Sequence, residues 1–226
     1  MTHPRPAAAP SARTRLRRMP EKAGYDRALI EAILDAMPVA HVGTVIDGAP
    51  VVIPTLQWRE GDRIYWHGSA ASRSLKAGRG AQVCVTVTFT DAMVLARSAF
   101  EHSVNHRSVM VFGTAQPVTD PAAKRAHLRA MVETLWPGRW DTLRPMTEQE
   151  LKATAILSLP LTEASAKIAA APPGGTDPGE DRAWPVWAGL IPLALATAAP
   201  VAAPDLPPGL ALPESVARWR FGDRAR

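Results

Sequence analysis

The sequence predicts a mainly β protein with flanking helices (α+β), in which six or seven antiparallel strands close into a barrel. Three observations predict this class. Runs rich in β-branched residues recur about every 8–12 residues, as in small barrels. Strong turn signals, such as Asp47-Gly48, separate neighbouring runs. Helical patterns stand between only some of the runs, so strands and helices do not alternate as they would in a parallel sheet.

Three segments carry clear helical signals. Asp26–Met37 places apolar side chains at helical spacing behind Asp26, which is a favourable N-cap. An Asp-Pro pair at 120–121 combines an N-cap with proline at the first helical position and predicts a helix to about Trp136. Thr147–Glu150 is a capping box that starts a short helix. We expect these helices to flank the sheet.

The strand signals are short runs with β-branched or alternating apolar residues. A short helix or turn over Ser72–Ala77 interrupts them. The predicted strands are His41–Ile46, Val51–Trp58, Arg63–His67, Gln82–Phe89, Ala92–Ala96, Arg107–Pro117, Thr154–Leu161 and Ala166–Ala169.

The net charge of +5 is concentrated at one end of the chain. Residues 1–22 carry six of the 26 basic side chains and one of the 21 acidic ones, so the rest of the chain is neutral. A neutral body lacks the basic face with which proteins bind duplex nucleic acid. We therefore expect no nucleic-acid partner. We interpret residues 1–24 as a basic arm that is flexible in solvent or embraces a second copy.

The predicted domain covers residues 25–193, with a Pro/Gly-rich loop at 170–183 inside it and an Ala/Pro-rich tail at 194–226. Trp184–Pro204 is uncharged and long enough to span a bilayer, but its four prolines would leave backbone groups unpaired in lipid. We predict a buried strand and an extended tail there, no membrane partner and a cytoplasmic location. The single cysteine, Cys84, excludes an internal disulfide.

Two polar patches in the first half of the chain suggest a ligand. In Val51–Thr55, Pro54 interrupts an apolar strand, which marks either an edge strand or a place where a ligand approaches the backbone. In His67–Lys76, three serines alternate with Arg73 and Lys76 where helical signals resume. Hydroxyls, a guanidinium and free helix amides suit a phosphate, and the alternative is a capped surface helix with solvated cations.

Two further patches lie later in the chain. Glu101–Val109 contains two histidines that would bind a metal only if the segment were helical, and a polar cluster at the barrel mouth with Arg107 aimed at an anion is the preferred interpretation. Trp184–Pro192 brings two indoles beside a glycine, which either cover a planar ligand or fill a core or interface. We expect no resident metal ion.

Common catalytic motifs are missing from the sequence. It contains no G-x-S-x-G nucleophile motif, no paired carboxylates near these patches and no complete glycine-rich dinucleotide fingerprint. Cys84 lies in an apolar strand, where a thiol is unreactive. These gaps favour a site at which a bound cofactor supplies the chemistry.

The order of the patches resembles the pyridoxamine 5′-phosphate oxidase-like superfamily of flavin-binding split β-barrels. The chain is most similar to its flavin-nucleotide-binding branch, which includes relatives of the nitroimidazole-resistance reductases. The resemblance runs from about Arg13 to Leu193. The segments that carry it are RTRLRRMPEKAGYD, HVGTVIDGAPVVIPT, IYWHGSAASRSLK, VCVTVT, SAFEHSVNHRSVMVFGTA, PGRW, ELKATAILSLPL and PVWAGLIPL.

The resemblance implies a split barrel and an FMN-binding homodimer with two cofactor sites at the subunit interface. Its positions assign to the cofactor Val52, Ile53, Pro54 and Thr55 along the ring, His67 and Gly68 at the end of the next strand, Ser72, Arg73 and Ser74 at the phosphate, Arg107 and Ser108 in a later strand, and Trp187 from the partner chain. Ser74 stands where the family has lysine, and His106 stands where it has tyrosine. Loss of the Arg73 side chain is expected to weaken FMN binding by about 1–3 kcal/mol.

The resemblance leaves the reaction open. The first hypothesis is an FMN-dependent oxidoreductase that acts on a small organic substrate. The second is a haem-binding or haem-degrading protein on the same scaffold, with His67, His102 or His106 as the iron ligand. The third is a non-catalytic flavin carrier or regulatory module. A deazaflavin is an alternative cofactor, and the sequence lacks a counterpart of the substrate-binding Arg and His of pyridoxamine phosphate oxidases.

Overall fold

The computed structural model describes residues 8–221, and ten strands in this range form one antiparallel sheet. The strands are β1 (Ala23–Gly24), β2 (Val39–Ile46), β3 (Ala49–Glu60), β4 (Arg63–Ser69), β5 (Gln82–Leu95), β6 (Ser103–Thr114), β7 (Gln116–Val118), β8 (Thr154–Pro160), β9 (Ala164–Ala169) and β10 (Gly189–Pro192). The helices are α1 (Arg27–Ala36), α2 (Arg73–Gly78), α3 (Pro121–Leu135), α4 (Glu148–Ala153) and α5 (Glu214–Ala217). Seven strands have six or more residues, which agrees with the six or seven expected, and β1, β7 and β10 are short additions.

The sheet is a split barrel. Neighbouring strands follow the order β1-β9-β6-β5-β2-β3-β4-β8-β7, and β10 pairs with the end of β5 that β2 does not reach. Within residues 8–221, β1 and β7 end this order without pairing to each other. The mainly β class and the split barrel are therefore confirmed, whereas the closed ring expected from strand spacing alone is wrong.

Local sequence signals operate as predicted. The Asp26 carboxylate accepts a hydrogen bond from the Leu29 amide at the start of α1, and Asp120 caps α3 in the same way. Thr147 and Glu150 form the capping box of α4. Positive φ angles at Asp47 (51°) and at the following glycine (78°) make the tight hairpin between β2 and β3. These contacts fix where the elements begin.

Strand β5 is continuous where the sequence predicted two strands. Its register with β6 shifts between Thr90 and Ala92, which leaves Asp91 as a bulge. A bulge adds one residue without ending the ladder, so the polar break in the sequence is a kink and not a turn. The bulge brings Asp91 within hydrogen-bond distance of Arg107 on β6.

The main core lies inside the barrel. Helix α1 contributes Ile30, Ile33 and Leu34, which pack against inward-facing side chains of the sheet such as Val87 and Leu159. A second cluster lies under α3 and α4 and contains Trp58, Tyr65, Leu128, Leu151 and Ile156. At about 1.5–3 kcal/mol for each large buried side chain, this burial holds α1 and the barrel together.

The N-terminal segment contacts the barrel. Arg13 lies over the Phe112 ring and pairs with Glu163, Thr14 is buried, and β1 pairs with β9. Residues 1–7 of the predicted arm and 222–226 of the predicted tail lie outside the described residues. The division into arm, domain and tail stays a prediction.

The C-terminal segment returns to the barrel. The Trp219 indole donates a hydrogen bond to the Leu135 carbonyl, and Phe221 packs edge to face on Phe89. The predicted burial of the strand in Trp184–Pro204 is wrong: β10 has one neighbour, β5, and Ile191 is half exposed. No helix within residues 8–221 combines the length and hydrophobicity that a membrane crossing requires.

Candidate functional site

A pocket opens at the mouth of the barrel between β2, β3, β4 and α2. Its volume is about 150 Å³, and its walls are largely apolar. We call it the barrel pocket and define it by Thr44, His67, Ser72 and Ser74. Its other lining residues are Val42, Ile53, Thr55, Trp66, Gly68, Leu75, Gly78, Val83 and Leu157.

Polar atoms in the barrel pocket lack partners within the described part of the chain. Thr44 Oγ1 and His67 Nδ1 are both buried and form no hydrogen bond. Ser72 stands at the N-cap position of α2, but its hydroxyl bonds to Ser74 Oγ at 2.9 Å and leaves the backbone uncapped. Buried polar groups are nearly always hydrogen-bonded, so unpartnered ones facing a cavity indicate a polar ligand. Three hydroxyls and one imidazole suit a phosphate.

Burial controls the charge of His67. Removal of the imidazole from water lowers the pKa of His67 below its usual value. Burial therefore favours the neutral ring in the ligand-free chain, and a neutral ring offers one N–H donor and one acceptor. A phosphate placed against it would favour the protonated form.

Arg73, the predicted phosphate ligand, points away from the barrel pocket. Its side chain is 74% exposed, and one nitrogen lies 3.5 Å from the Asp47 carboxylate on the β2–β3 hairpin. The first residue of α2 faces outward because Ser74 and Leu75 face the barrel. In the single chain, the pocket is therefore lined by neutral donors.

The predicted ring-edge residues divide between the two faces of β3. Ile53 and Thr55 line the barrel pocket, whereas Val52 and Pro54 are exposed on the outer face, as strand alternation requires. Ser108 also lies away from the pocket, where its hydroxyl donates to the Lys167 carbonyl at 3.5 Å. Trp187 is 64% exposed, with its ring against Gly189.

Arg107 is engaged by a carboxylate of its own chain. It makes a bidentate pair with Asp91 at 2.8 and 3.0 Å, and its guanidinium lies 4.6 Å from the centroid of the Phe89 ring. The Asp91 hydrogen bonds raise the pKa of Arg107, so the group stays charged. In the single chain, the bulge in β5 places the Asp91 carboxylate against Arg107, and the role of Arg107 at a cofactor stays a prediction.

Sequence reasoning missed Thr44 as a site residue. The sequence did contain a signal for Thr44. Alternation along β2 puts Val42 and Thr44 on the inner face, so the Thr44 hydroxyl interrupts a series of inward-facing apolar side chains. Ile53, Thr55, His67, Gly68, Ser72 and Ser74 are the predicted residues that the structure brings together with it.

Comparison with known proteins agrees with this architecture. A family model described as pyridoxamine 5′-phosphate oxidase matches residues 26–168. The flavocytochrome Anf3 from Azotobacter vinelandii is 45% identical, with a TM-score of 0.91 over 96% of this chain and 100% of the other. A FAD- and haem-binding protein from Mycobacterium smegmatis is 39% identical, with a TM-score of 0.82 over 88% of this chain and 98% of the other. No curated protein matches the chain.

The family match covers more than half of the chain and includes every strand of the split barrel from β2 to β8 and nearly all of β9. The chain therefore belongs to the pyridoxamine 5′-phosphate oxidase family.

Proposed function

We propose that the protein binds a flavin nucleotide as a homodimer and uses it for redox chemistry. The observation that carries this proposal is the barrel pocket, in which Thr44 Oγ1 and His67 Nδ1 are buried without partners beside the Ser72 and Ser74 hydroxyls. These groups would hold the flavin phosphate. A bound flavin supplies hydride or electron transfer, and the chain supplies binding and orientation.

The size of the pocket supports a second copy. Complete cofactor sites occupy about 300–1,000 Å³, whereas the barrel pocket has about 150 Å³. It accommodates a phosphate and its ribityl end, so the ring would lie outside it. The outer face of the sheet exposes the apolar side chains of Val45 (61%), Val52 (64%) and Met110 (41%). A second copy on this face would cover them and complete the site.

The remaining predicted contacts belong to this dimer proposal. Val52 and Pro54 would meet the ring at the covered face, and Trp187 would approach from the partner. Arg73 would reach the phosphate only by leaving the Asp47 carboxylate. Arg107 and Ser108 would act only if the dimer displaced their present partners, Asp91 and Lys167.

The flavin is tested directly by absorption spectroscopy. We expect the purified full-length protein to be yellow, with flavin absorption that is released on denaturation. The barrel pocket would bind the phosphate group that FMN and FAD share, so it does not distinguish the two flavins. The M. smegmatis relative is described as binding FAD. Chromatography of the released flavin identifies which of the two is present. Colourless protein that takes up neither FMN nor FAD would refute the proposal.

The dimer is tested at Met110. Replacing Met110 by Glu puts a charge on the apolar outer face and should shift the mass in solution from dimer to monomer, with loss of flavin affinity. The control is Val201→Glu, at a side chain that is 95% exposed and far from β6 in sequence. A dimer that survives Met110→Glu unchanged would place the interface elsewhere.

A second candidate function is haem binding, alone or together with flavin. It is supported by the two relatives, one described as a flavocytochrome and one as binding FAD and haem. Added haemin should then give a Soret band. Turnover with small organic acceptors and a reductant separates an oxidoreductase from a non-catalytic flavin module, which would bind flavin without turnover.

A further inference from the structure

A second concave site lies on the outer side of the sheet. Its volume is about 440 Å³, within the range of cofactor sites. We call it the outer pocket and define it by Arg18, Lys22, His102, His106 and Lys167. His106 and Lys167 face outward because Val109 and Ala166, at odd separations along the same strands, are fully buried. The barrel pocket and the outer pocket share no lining residue.

His102 is held as a metal ligand would be. Its Nδ1 lies 2.9 Å from the Ser98 carbonyl oxygen. A carbonyl only accepts, so Nδ1 carries the proton and, in the neutral ring, Nε2 keeps its lone pair. Histidines that bind metals are commonly oriented by this kind of bond from the other ring nitrogen to a carbonyl. The contact orients the ring and selects the ligating tautomer.

Three cations line the outer pocket against one carboxylate, Glu101. Within the described part of the chain, none of these three cations forms a salt bridge, whereas ten other arginines do. Among the described residues, Lys22 Nζ donates a hydrogen bond to the sulfur of Met19, at 3.2 Å. Unpaired cations converging on a cavity favour an anionic ligand.

The rim of the outer pocket suits a flat apolar molecule, whereas its floor offers polar atoms. Phe100 is 85% exposed and Met19 is 43% exposed at the rim, where water is a poor partner for either side chain. On the floor, His106 Nδ1 and Thr176 Oγ1 are buried without hydrogen-bond partners within residues 8–221. Thr176 is held in place because its neighbour Asp177, fully buried, pairs with Arg97 at 2.6 Å.

We propose that the outer pocket binds an iron porphyrin of the haem type, with His102 Nε2 as an axial ligand, the cations Arg18, Lys22 and Lys167 on its carboxylates, and Phe100 against the ring. Haem has three properties that match the lining of this pocket. It carries a metal ion for His102, two carboxylates for the cations, and a flat apolar ring for Phe100. This assignment rests on haem binding, the second candidate function above. The sequence left three histidines as possible iron ligands, and the assignment selects His102. His67 is set aside because it lies in the narrow barrel pocket.

The test is titration of haem-depleted full-length protein with haemin, read from the Soret band. His102→Ala should weaken haemin binding at least about tenfold and change the spectrum, as loss of an axial ligand does. Added imidazole should restore the wild-type spectrum to His102→Ala. The matched control is His41→Ala, at an exposed histidine on β2 that lines neither pocket, and it should keep the wild-type Soret band. His106→Ala is measured alongside, because loss of the Soret band there instead would move the iron ligand to His106. Flavin content and circular dichroism show that each variant is folded.

The carboxylate contacts are tested with Lys167→Gln. This variant should bind haemin about tenfold more weakly and should bind haemin dimethyl ester, which lacks free carboxylates, as the wild type does. An adenine nucleotide such as ADP serves as the competing probe, because the same cations would suit its phosphates.

Each outcome decides the assignment. Loss in His102→Ala with imidazole rescue supports it. Haemin binding that is unchanged in His102→Ala, lost instead in His106→Ala, or absent from a wild type that binds flavin would overturn it and leave the flavin proposal standing. ADP binding at the outer pocket without haemin binding would also overturn it. A wild type that binds haemin through His102 but takes up no flavin would refute the flavin proposal alone.

Discussion

The barrel pocket and the outer pocket differ in how their residues would hold an anion. The first is small and largely apolar, and its donors are the neutral hydroxyls and imidazole of Thr44, His67, Ser72 and Ser74. The second is nearly three times larger and uses long cationic side chains, of which Arg18 is exposed and Lys22 and Lys167 are half-buried. Neutral donors on strands and on a short helix fix geometry, whereas long cationic side chains supply attraction that salt screens. We therefore expect flavin binding to depend weakly on salt and haemin binding to depend on it strongly.

The largest expected effect comes from placing a negative charge in each pocket. Ser74→Asp should weaken flavin binding about 100-fold, because a buried carboxylate repels the phosphate at short range. Lys167→Glu should weaken haemin binding by a similar factor and leave flavin affinity unchanged. Titrations of both ligands on both variants measure this. If either variant lost both ligands while remaining folded, the two pockets would not be independent.

A smaller effect on flavin affinity is expected when single side chains in or beside the barrel pocket are removed, and it should be larger for the buried Thr44 hydroxyl than for the exposed Arg73 cation. Thr44→Val removes an unpartnered hydroxyl, so it should weaken flavin binding about tenfold and stabilise the flavin-free protein by about 1 kcal/mol. Arg73→Ala should weaken flavin binding only about threefold, less than the sequence alone suggests, because its side chain is exposed and screened. Dissociation constants and urea denaturation check both. The reverse order would mean that Arg73 closes over the phosphate.

The pH dependence of flavin affinity reports on His67. Burial lowers the pKa of His67 in the flavin-free protein, and a neighbouring phosphate raises it, so flavin binding takes up a proton. Affinity should therefore rise a few-fold relative to His67→Gln as pH falls from about 8 to about 6. The phosphate titrates in this range in both proteins, so the ratio of their dissociation constants isolates His67. A ratio that does not change with pH would remove the imidazole from the phosphate site.

The smallest expected effect on cofactor binding is at Arg107. Arg107→Ala breaks the pair with Asp91, and both side chains are more than a third exposed, so stability should fall by about 1 kcal/mol or less. Flavin affinity should stay within twofold of the wild type. Denaturation curves and flavin titration measure the two quantities. A large loss of flavin would show that the dimer releases Arg107 from Asp91 to the cofactor, as the family resemblance implies.

Elements that depend on neighbouring residues were predictable from the sequence. The N-caps at Asp26 and Asp120, the hairpin at Asp47 and the strands on either side of it follow from local hydrogen bonds and alternation. The grouping of Ser72 and Ser74 near His67 was also predictable, because a strand and the following short helix are adjacent in sequence. The continuity of β5 was not, since a bulge at Asp91 looks like a turn until its partner strand is known.

Local patterns were enough to predict the β class, the helix starts and the run of hydroxyls that faces the barrel, because caps, turns and alternation act over a few residues. Contacts formed on folding set the outward direction of Arg73, the pairing of Arg107 with Asp91, and the position of Lys22, His102 and Lys167 around one cavity. Those outcomes depend on which strands become neighbours. Contacts between residues 16 to 145 positions apart are selected by packing of the whole sheet, and no local pattern encodes them.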